Sequence, residues 1–144
     1  MKASKSVSVN IFKLIQQKRI GDILFFIGTT LDWAATSQEE QTIVLTRMKQ
    51  LSSQEASNLT NNTAKIFALE SWSFLIAVLI FANVSYARLK DQEAYILTNA
   101  PNAPLSSNNN LFGSYLVVIG NLVKVIGFSL TAIGNQIKAN NPPG

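Results

Sequence analysis

At 144 residues the chain is long enough to bury the core of one domain and too short for two full domains. Charged residues make up 14% of the sequence and apolar residues 47%, so the polar surface is small for a free monomer. The net charge is +4, but the twelve Lys and Arg are scattered and form no basic stripe, which argues against nucleic acid as a partner. We therefore expect lipid or other copies of the chain to cover part of the surface.

The sequence lacks the residues on which most catalytic and metal sites depend. It has no His and no Cys, which removes the commonest general base, nucleophile and soft metal ligands. The eight carboxylates are dispersed without an E-x-x-H pair, and no phosphate-binding glycine loop occurs. We expect a non-enzymatic protein with no catalytic residues, no cofactor, no metal and no small-molecule substrate.

The spacing of apolar residues predicts an all-α fold, a bundle of three to four long helices in a single domain over residues 1–144. The helices are expected at about residues 8–35, 37–57, 64–95 and 111–139. Ser37 and Glu40 form a capping box that marks the second start, with Glu39 and Glu40 as acids in the first helical turn.

Three segments are expected to lie outside helices. Residues 58–63 are rich in Asn and Thr, which compete with helical hydrogen bonds and predict a break. Residues 96–110 contain Pro101 and Pro104 and predict the longest loop, while residues 140–144 form a tail.

The most informative pattern is a glycine at every seventh position. Six of the seven glycines fall into two series, Gly21 and Gly28, then Gly113, Gly120, Gly127 and Gly134. Each follows a large apolar residue and is followed three positions later by another, as in Ile119 with Val123, Ile126 with Leu130, and Ile133 with Ile137. The unit I-G-x-x-φ-x-x, in which φ is apolar, is thus an internal repeat near each end of the chain.

On a helix this repeat forms an apolar stripe with a notch at each glycine. A glycine inside a helix costs about 1 kcal/mol relative to alanine, so a compensating close approach of another helix is expected. The partner is either another helix of the same bundle, with helices one and four packing together, or a helix of a second subunit. The residues predicted to carry helix packing and self-association are the six glycines of the two series with Leu116, Ile119, Val123, Ile126, Leu130 and Ile133.

A central run is apolar enough to raise the question of membrane insertion. Residues 71–87 are uncharged, with Trp72 and Tyr86 near the two ends, as in a short spanning helix with interfacial anchors. We favour buried core or interface, because the run is at the lower limit of length, with a membrane span as the alternative. The residues in question are Trp72, Phe74, Leu75, Ile76, Val78, Leu79, Ile80 and Phe81. A second stretch, residues 111–137, carries Lys124 near its middle, which is costly in lipid.

Glu70 borders the central run, and we expect it at the solvated edge, with a buried acid as the alternative. The first ten residues contain no apolar run of the kind that a secretory signal requires. The expected location is therefore intracellular, or an assembly on the cell or spore surface, with the cytoplasmic membrane as the alternative.

The tandem Ile119-Gly120-Asn121, Ile126-Gly127 and Ile133-Gly134-Asn135 resembles small proteins of spore-forming Bacillus-type bacteria that repeat I-G-N-x-[IL]-x-x-I-G. The similarity covers the C-terminal glycine series and residues 20–28, while the central half of the chain does not share it. It implies a Gram-positive bacterial source and no activity.

The leading hypothesis is a structural protein that self-associates through its glycine-heptad helices into a fibre, tube or sheath. The alternative is a small integral membrane protein, holin-like or pore-forming, that oligomerises through the same helices.

Overall fold

The computed structural model describes residues 2–99 and 106–141, with side chains at positions 11–98 and 110–141. Within these ranges the regular structure is entirely helical and forms three long helices. They are α1 (Lys2–Arg47), α2 (Ser53–Asn99) and α3 (Ser106–Asn140). The prediction of an all-α fold with three to four long helices is confirmed.

The predicted break before Ser37 is wrong, because α1 continues through it to Arg47. The reason is a seam of small residues that runs across this point. Gly21, Gly28, Ala35 and Thr42 are spaced by seven and are all buried, so packing along the seam outweighs the local capping signal. Glu39 and Glu40 are consequently exposed residues inside α1 and do not lie in a first turn.

α1 ends at Arg47, about a dozen residues after the end predicted at residue 35. Lys49 adopts a positive φ of 55°, and the amide of Gln50 donates to the carbonyl of Leu45 at 3.0 Å, which is the helix-terminating Schellman arrangement. A capping box then starts α2: the Ser52 amide donates to the Glu55 carboxylate at 2.9 Å, and the Glu55 amide donates to the Ser52 hydroxyl at 3.3 Å.

The predicted break at residues 58–63 is also wrong, since this segment is part of α2. The hydroxyls of Thr60 and Thr63 donate to the carbonyls of Ala56 and Leu59, four residues earlier, at 2.9 Å each. These side chains therefore bond within the helix instead of competing with it.

The predicted loop and tail are shorter than expected. Residues 96–99 end α2 and residues 106–110 begin α3, so both flanks of the predicted 96–110 loop are helical. α3 extends to Asn140, one residue into the predicted tail. Residues 100–105 and 142–144 lie outside the described residues.

The three helices contribute to two compact units. The first comprises α1 as far as Asp22, α2 from Ala77 onwards and α3 as far as Ile126. The second comprises α1 from Ile23, α2 as far as Ile76 and α3 from Gly127. In each unit α2 contacts both other helices.

In both units a glycine of α1 receives a phenylalanine ring of α2. A Cβ built on Gly21 would lie 2.5 Å from Cε1 of Phe81 in the first unit. In the second unit a Cβ built on Gly28 would lie 2.8 Å from both Cδ1 and Cε1 of Phe74. The rings therefore pack directly on helix backbone, at a distance that no residue with a side chain would allow.

The ring of Phe74 is held on two further sides. Its centroid lies 4.8 Å from that of Phe25 on α1 and 5.4 Å from that of Phe128 on α3, with interplanar angles of 52° and 45°. Tilted aromatic pairs at such distances are favourable. This three-ring cluster limits how far Phe74 can move away from Gly28.

Gly28→Ala is expected to lower the free energy of unfolding by about 1–2 kcal/mol. Overpacking against the confined Phe74 ring costs about 1–3 kcal/mol, which outweighs the gain of about 1 kcal/mol in helix propensity. The measurement is denaturant unfolding of the dilute, dissociated chain, followed by circular dichroism.

Gly127→Ala is the matched control, because a Cβ added there meets no atom within 4 Å. It is expected to stabilise the dissociated chain by up to about 1 kcal/mol through helix propensity. Equal effects of the two substitutions would contradict the packing of Phe74 on bare backbone.

Candidate self-association surface

One face of α3 lies against α2 and is partly polar. In the first unit the side-chain amide of Asn121 donates to the Ser85 hydroxyl at 3.1 Å and to the backbone carbonyl of Phe81 at 3.5 Å. In the second unit the side-chain amide of Asn135 donates to the Ser71 hydroxyl at 2.6 Å and to the backbone carbonyl of Phe67 at 3.4 Å. Two polar residues of α3 therefore face another helix of the same chain.

Three apolar residues also lie on this inner face. Val118 and Ala132 are buried, and Phe128, seven residues from both Asn121 and Asn135, contacts Phe74. Together these residues follow the alternating three- and four-residue spacing of a coiled-coil seam. α3 thus packs against α2 through the residue that immediately follows each glycine and through the residue four positions after that one.

The opposite face of α3, which we call the outer stripe, is apolar and exposed. Leu116, Val123, Leu130 and Ile137 lie on its centre line with exposed fractions of 52%, 63%, 68% and 56%. Ile119, Ile126 and Ile133 flank that line and are exposed by 53–63%. At 100° per residue, the centre line lies about 180° around the helix from the inner face.

The four glycines of α3 border the outer stripe on its other side, and their notches are open. A Cβ added to Gly113, Gly120, Gly127 or Gly134 would meet no atom within 4 Å. The expectation that helices one and four pack together through their glycines is therefore not met. The glycines of α1 receive rings from α2, whereas the space beside each glycine of α3 is empty of described residues within 4 Å of an added Cβ.

The outer stripe is part of a wider excess of exposed apolar surface. Thirty large hydrophobic side chains are exposed among the described residues, against nine buried hydrophobic residues, four of which are alanine. Val78 is the largest hydrophobic side chain that is fully buried. Exposed apolar surface on this scale is typical of proteins that contact another protein or a lipid surface.

The central run of α2 divides between buried and exposed positions. Leu75 and Val78 are buried, and Phe74, Ile80 and Phe81 are half-buried. Trp72, Ile76 and Leu79 are exposed by 40%, 46% and 48%, and the indole of Trp72 donates to the Gln136 side chain at 3.1 Å. One side of the run is therefore buried, and the other side leaves an apolar row exposed.

By length and composition alone, α2 and α3 could each cross a membrane. The stretches are Ser53–Thr98 and Asn110–Asn140, with mean hydropathies of 1.9 and 2.0 in their most apolar windows. Within the chain, 28% of the most apolar window of α2 and 11% of that of α3 is buried.

Charged side chains lie beside the C-terminal half of the central run. In the first unit Lys18 and Asp22 form an ion pair at 3.3 Å and line the same groove as Phe81 and Asn121. Lys124, one helical turn after Asn121, is exposed. Both cations and anions therefore border the apolar surface of the first unit.

Glu70, expected at a solvated edge, is buried, with 9% of its surface exposed. Burial disfavours the charged carboxylate, and the nearby charge of Asp32 adds to this, so the pKa of Glu70 is raised from 4.5 to about 6. No group of three or more acidic side chains that could hold a metal ion occurs among the described residues. The position of Glu70 is that of a buried acid in the α2 packing surface.

Comparisons with protein-family models, with curated proteins and with solved structures find no match to this chain.

The raised pKa of Glu70 predicts how stability depends on pH. A carboxyl whose pKa is higher in the folded than in the unfolded state stabilises the fold when protonated, so its contribution is present below about pH 4.5 and lost as pH rises through about 6. Glu70→Gln should remove this dependence and stabilise the chain above pH 6 by up to about 2 kcal/mol.

Urea unfolding of the wild type and Glu70→Gln at several pH values between 4 and 8 checks this. The difference between the two isolates Glu70 from the other carboxylates. A difference that stays constant across this range would show that Glu70 ionises normally in the folded chain.

Proposed function

We propose that the chain is a non-enzymatic structural protein that self-associates through the outer stripe of α3 into a larger assembly such as a fibre, tube or sheath. The observation that carries the proposal is the inverted polarity of α3. Asn121 and Asn135 face α2, while the residues of the outer stripe and the glycine notches face outwards. A helix that turned this surface to water would lose the hydrophobic free energy that normally holds a helix to its protein.

The glycines support protein rather than water as the neighbour of the stripe. Four glycines within one helix cost about 4 kcal/mol of helix propensity, and among the described residues no contact at the notches offsets that cost. A second helix that packs into the notches would supply the missing contact. The seven-residue spacing keeps all four notches on one side of α3 for such a helix.

The membrane alternative is supported by a separate observation, the length and mean hydropathy of α2 and α3. Two features favour the soluble assembly over it. The uncharged part of α2, residues 71–87, spans about 25 Å, less than the roughly 30 Å of a bilayer core. The Lys18–Asp22 pair also lines a groove with Phe81 of this run, and Lys124 lies within the apolar stretch of α3, where a charge is costly in lipid.

Gly127→Leu is expected to block assembly, because a leucine in the notch keeps the neighbouring helix at a distance. The fold of the single chain should persist, since the notch is empty within it. Sedimentation velocity and negative-stain microscopy measure the assembly, and circular dichroism measures the helix content.

The matched control is Asn62→Leu, which adds the same side chain at an exposed position of α2. It should assemble as the wild type does. Normal assembly of both Gly127→Leu and the corresponding Gly120→Leu would show that the notches are not an interface.

Fractionation separates the two functions. The structural assembly should pellet without lipid or detergent and show regular filaments or tubes under negative stain. A chain that remains in the membrane fraction after carbonate extraction, and that yields discrete oligomers only in detergent, would instead be the membrane protein.

A further inference from the structure

The contact inside the chain defines what fits a glycine notch. Gly28 lies between Ile27 and Leu31 in the repeat, and its notch holds the Phe74 ring. Gly21 lies in the same sequence context and its notch holds the ring of Phe81, seven residues along α2. The repeat in α1 therefore binds two aromatic rings spaced by seven residues on another helix.

The notches of α3 have the same local sequence and no occupant. Gly127 lies between Ile126 and Leu130, and Gly134 lies between Ile133 and Ile137. Seven residues advance a helix by about 10.5 Å, so a complementary helix would present aromatic side chains at that same interval.

The chain carries such a pair on the outside of α1. Phe26 and Trp33 are spaced by seven and are exposed by 72% and 73%, the two highest values among the aromatic side chains described. Both lie in the second unit, outside the buried Gly28 seam. Large aromatic side chains at full exposure are common anchors of protein interfaces.

The charges of the two elements are complementary. The part of α1 that carries the aromatic pair, residues 20–46, contains Asp22, Asp32, Glu39 and Glu40 and no Lys or Arg. α3 contains Lys124 and Lys138 and no acidic residue. Opposite charge on the two helices favours their pairing over α3 with α3, which would bring lysines together.

Building on the proposed self-association, we propose that Phe26 and Trp33 of one copy insert into the notches at Gly127 and Gly134 of a second copy. The two surfaces lie on different helices, so the contact is heterologous. Each copy that has received a partner on α3 still presents its own α1 pair to the next copy. A contact of this kind extends into a polymer unless its rotation closes a ring.

The test uses two variants, each blocked on one side of the contact. Phe26→Ala/Trp33→Ala removes the inserting rings, and Gly127→Leu/Gly134→Leu fills the notches. Each alone should lose filaments and raise the concentration needed for association about tenfold or more. Circular dichroism verifies that each variant keeps its helices, which is expected because all four positions are open in the single chain.

Mixing the two variants in equal amounts gives the decisive result. The first keeps its notches and the second keeps its rings, so one contact forms and growth stops at a dimer of two 15.8 kDa chains, measured by light scattering. The control is Tyr86→Ala, which removes an exposed aromatic residue of α2 and should leave filaments intact.

Three results would overturn the pairing while leaving self-association in place. The first is normal filaments from Phe26→Ala/Trp33→Ala, which would indicate that α3 pairs with α3. The second is a mixture of the two variants that stays monomeric, and the third is a mixture that extends into filaments. Loss of filaments in Tyr86→Ala to the same degree would also count against it, because the effect would not be specific to α1. A wild type that does not self-associate at all would overturn both this inference and the proposed function.

Discussion

The packing of aromatic rings on bare helix backbone is the constraint on which the fold depends. Gly21 and Gly28 let Phe81 and Phe74 approach α1 more closely than any side chain would permit, and the small residues Ala35 and Thr42 continue the same buried seam. This seam keeps α1 helical through a point where its local sequence favours a new start. Because α2 supplies rings to α1 and serine hydroxyls to α3, it is the element against which both others are positioned.

In α1 the glycines of the repeat lie on the buried side of the helix, whereas in α3 they lie on the open side. The inner face of α3 holds α2 through Asn121, Phe128 and Asn135, and the glycines border the face that points away. Asparagine at a seam position fixes register at some cost in stability, which suits a helix that must present a second surface in a defined orientation. The apolar outer stripe is then available for a neighbour, and the chain by itself buries little of its hydrophobic surface.

The all-helical class could be predicted from the sequence because it rests on composition and periodicity. The helix boundaries could not. Two capping boxes of the form S-x-x-E occur, at Ser37 and at Ser52, and only the second starts a helix. The difference lies in tertiary packing, since Ser37 lies beside a buried seam and Ser52 follows the left-handed residue Lys49.

Which face of α3 meets the rest of the chain was missed for a related reason. Periodicity shows that the glycines share one side of a helix but does not show which side meets the rest of the chain. The regular spacing of Phe67, Phe74 and Phe81 was a readable signal that the α1 notches would be filled by α2. The burial of Glu70 could not be read from its position beside an apolar run, because that position is compatible with either environment.

The central claim, that the outer stripe is covered by another copy, can be tested by thiol protection, since the chain has no native cysteine. Val123→Cys and Leu130→Cys place a thiol on the stripe, and Asn62→Cys places one on an exposed position of α2. In detergent-free assemblies the stripe thiols should react with a soluble maleimide far more slowly than after dissociation, while the α2 thiol reacts at the same rate in both states. Equal reactivity of the stripe thiols in assembled and dissociated protein would contradict the account.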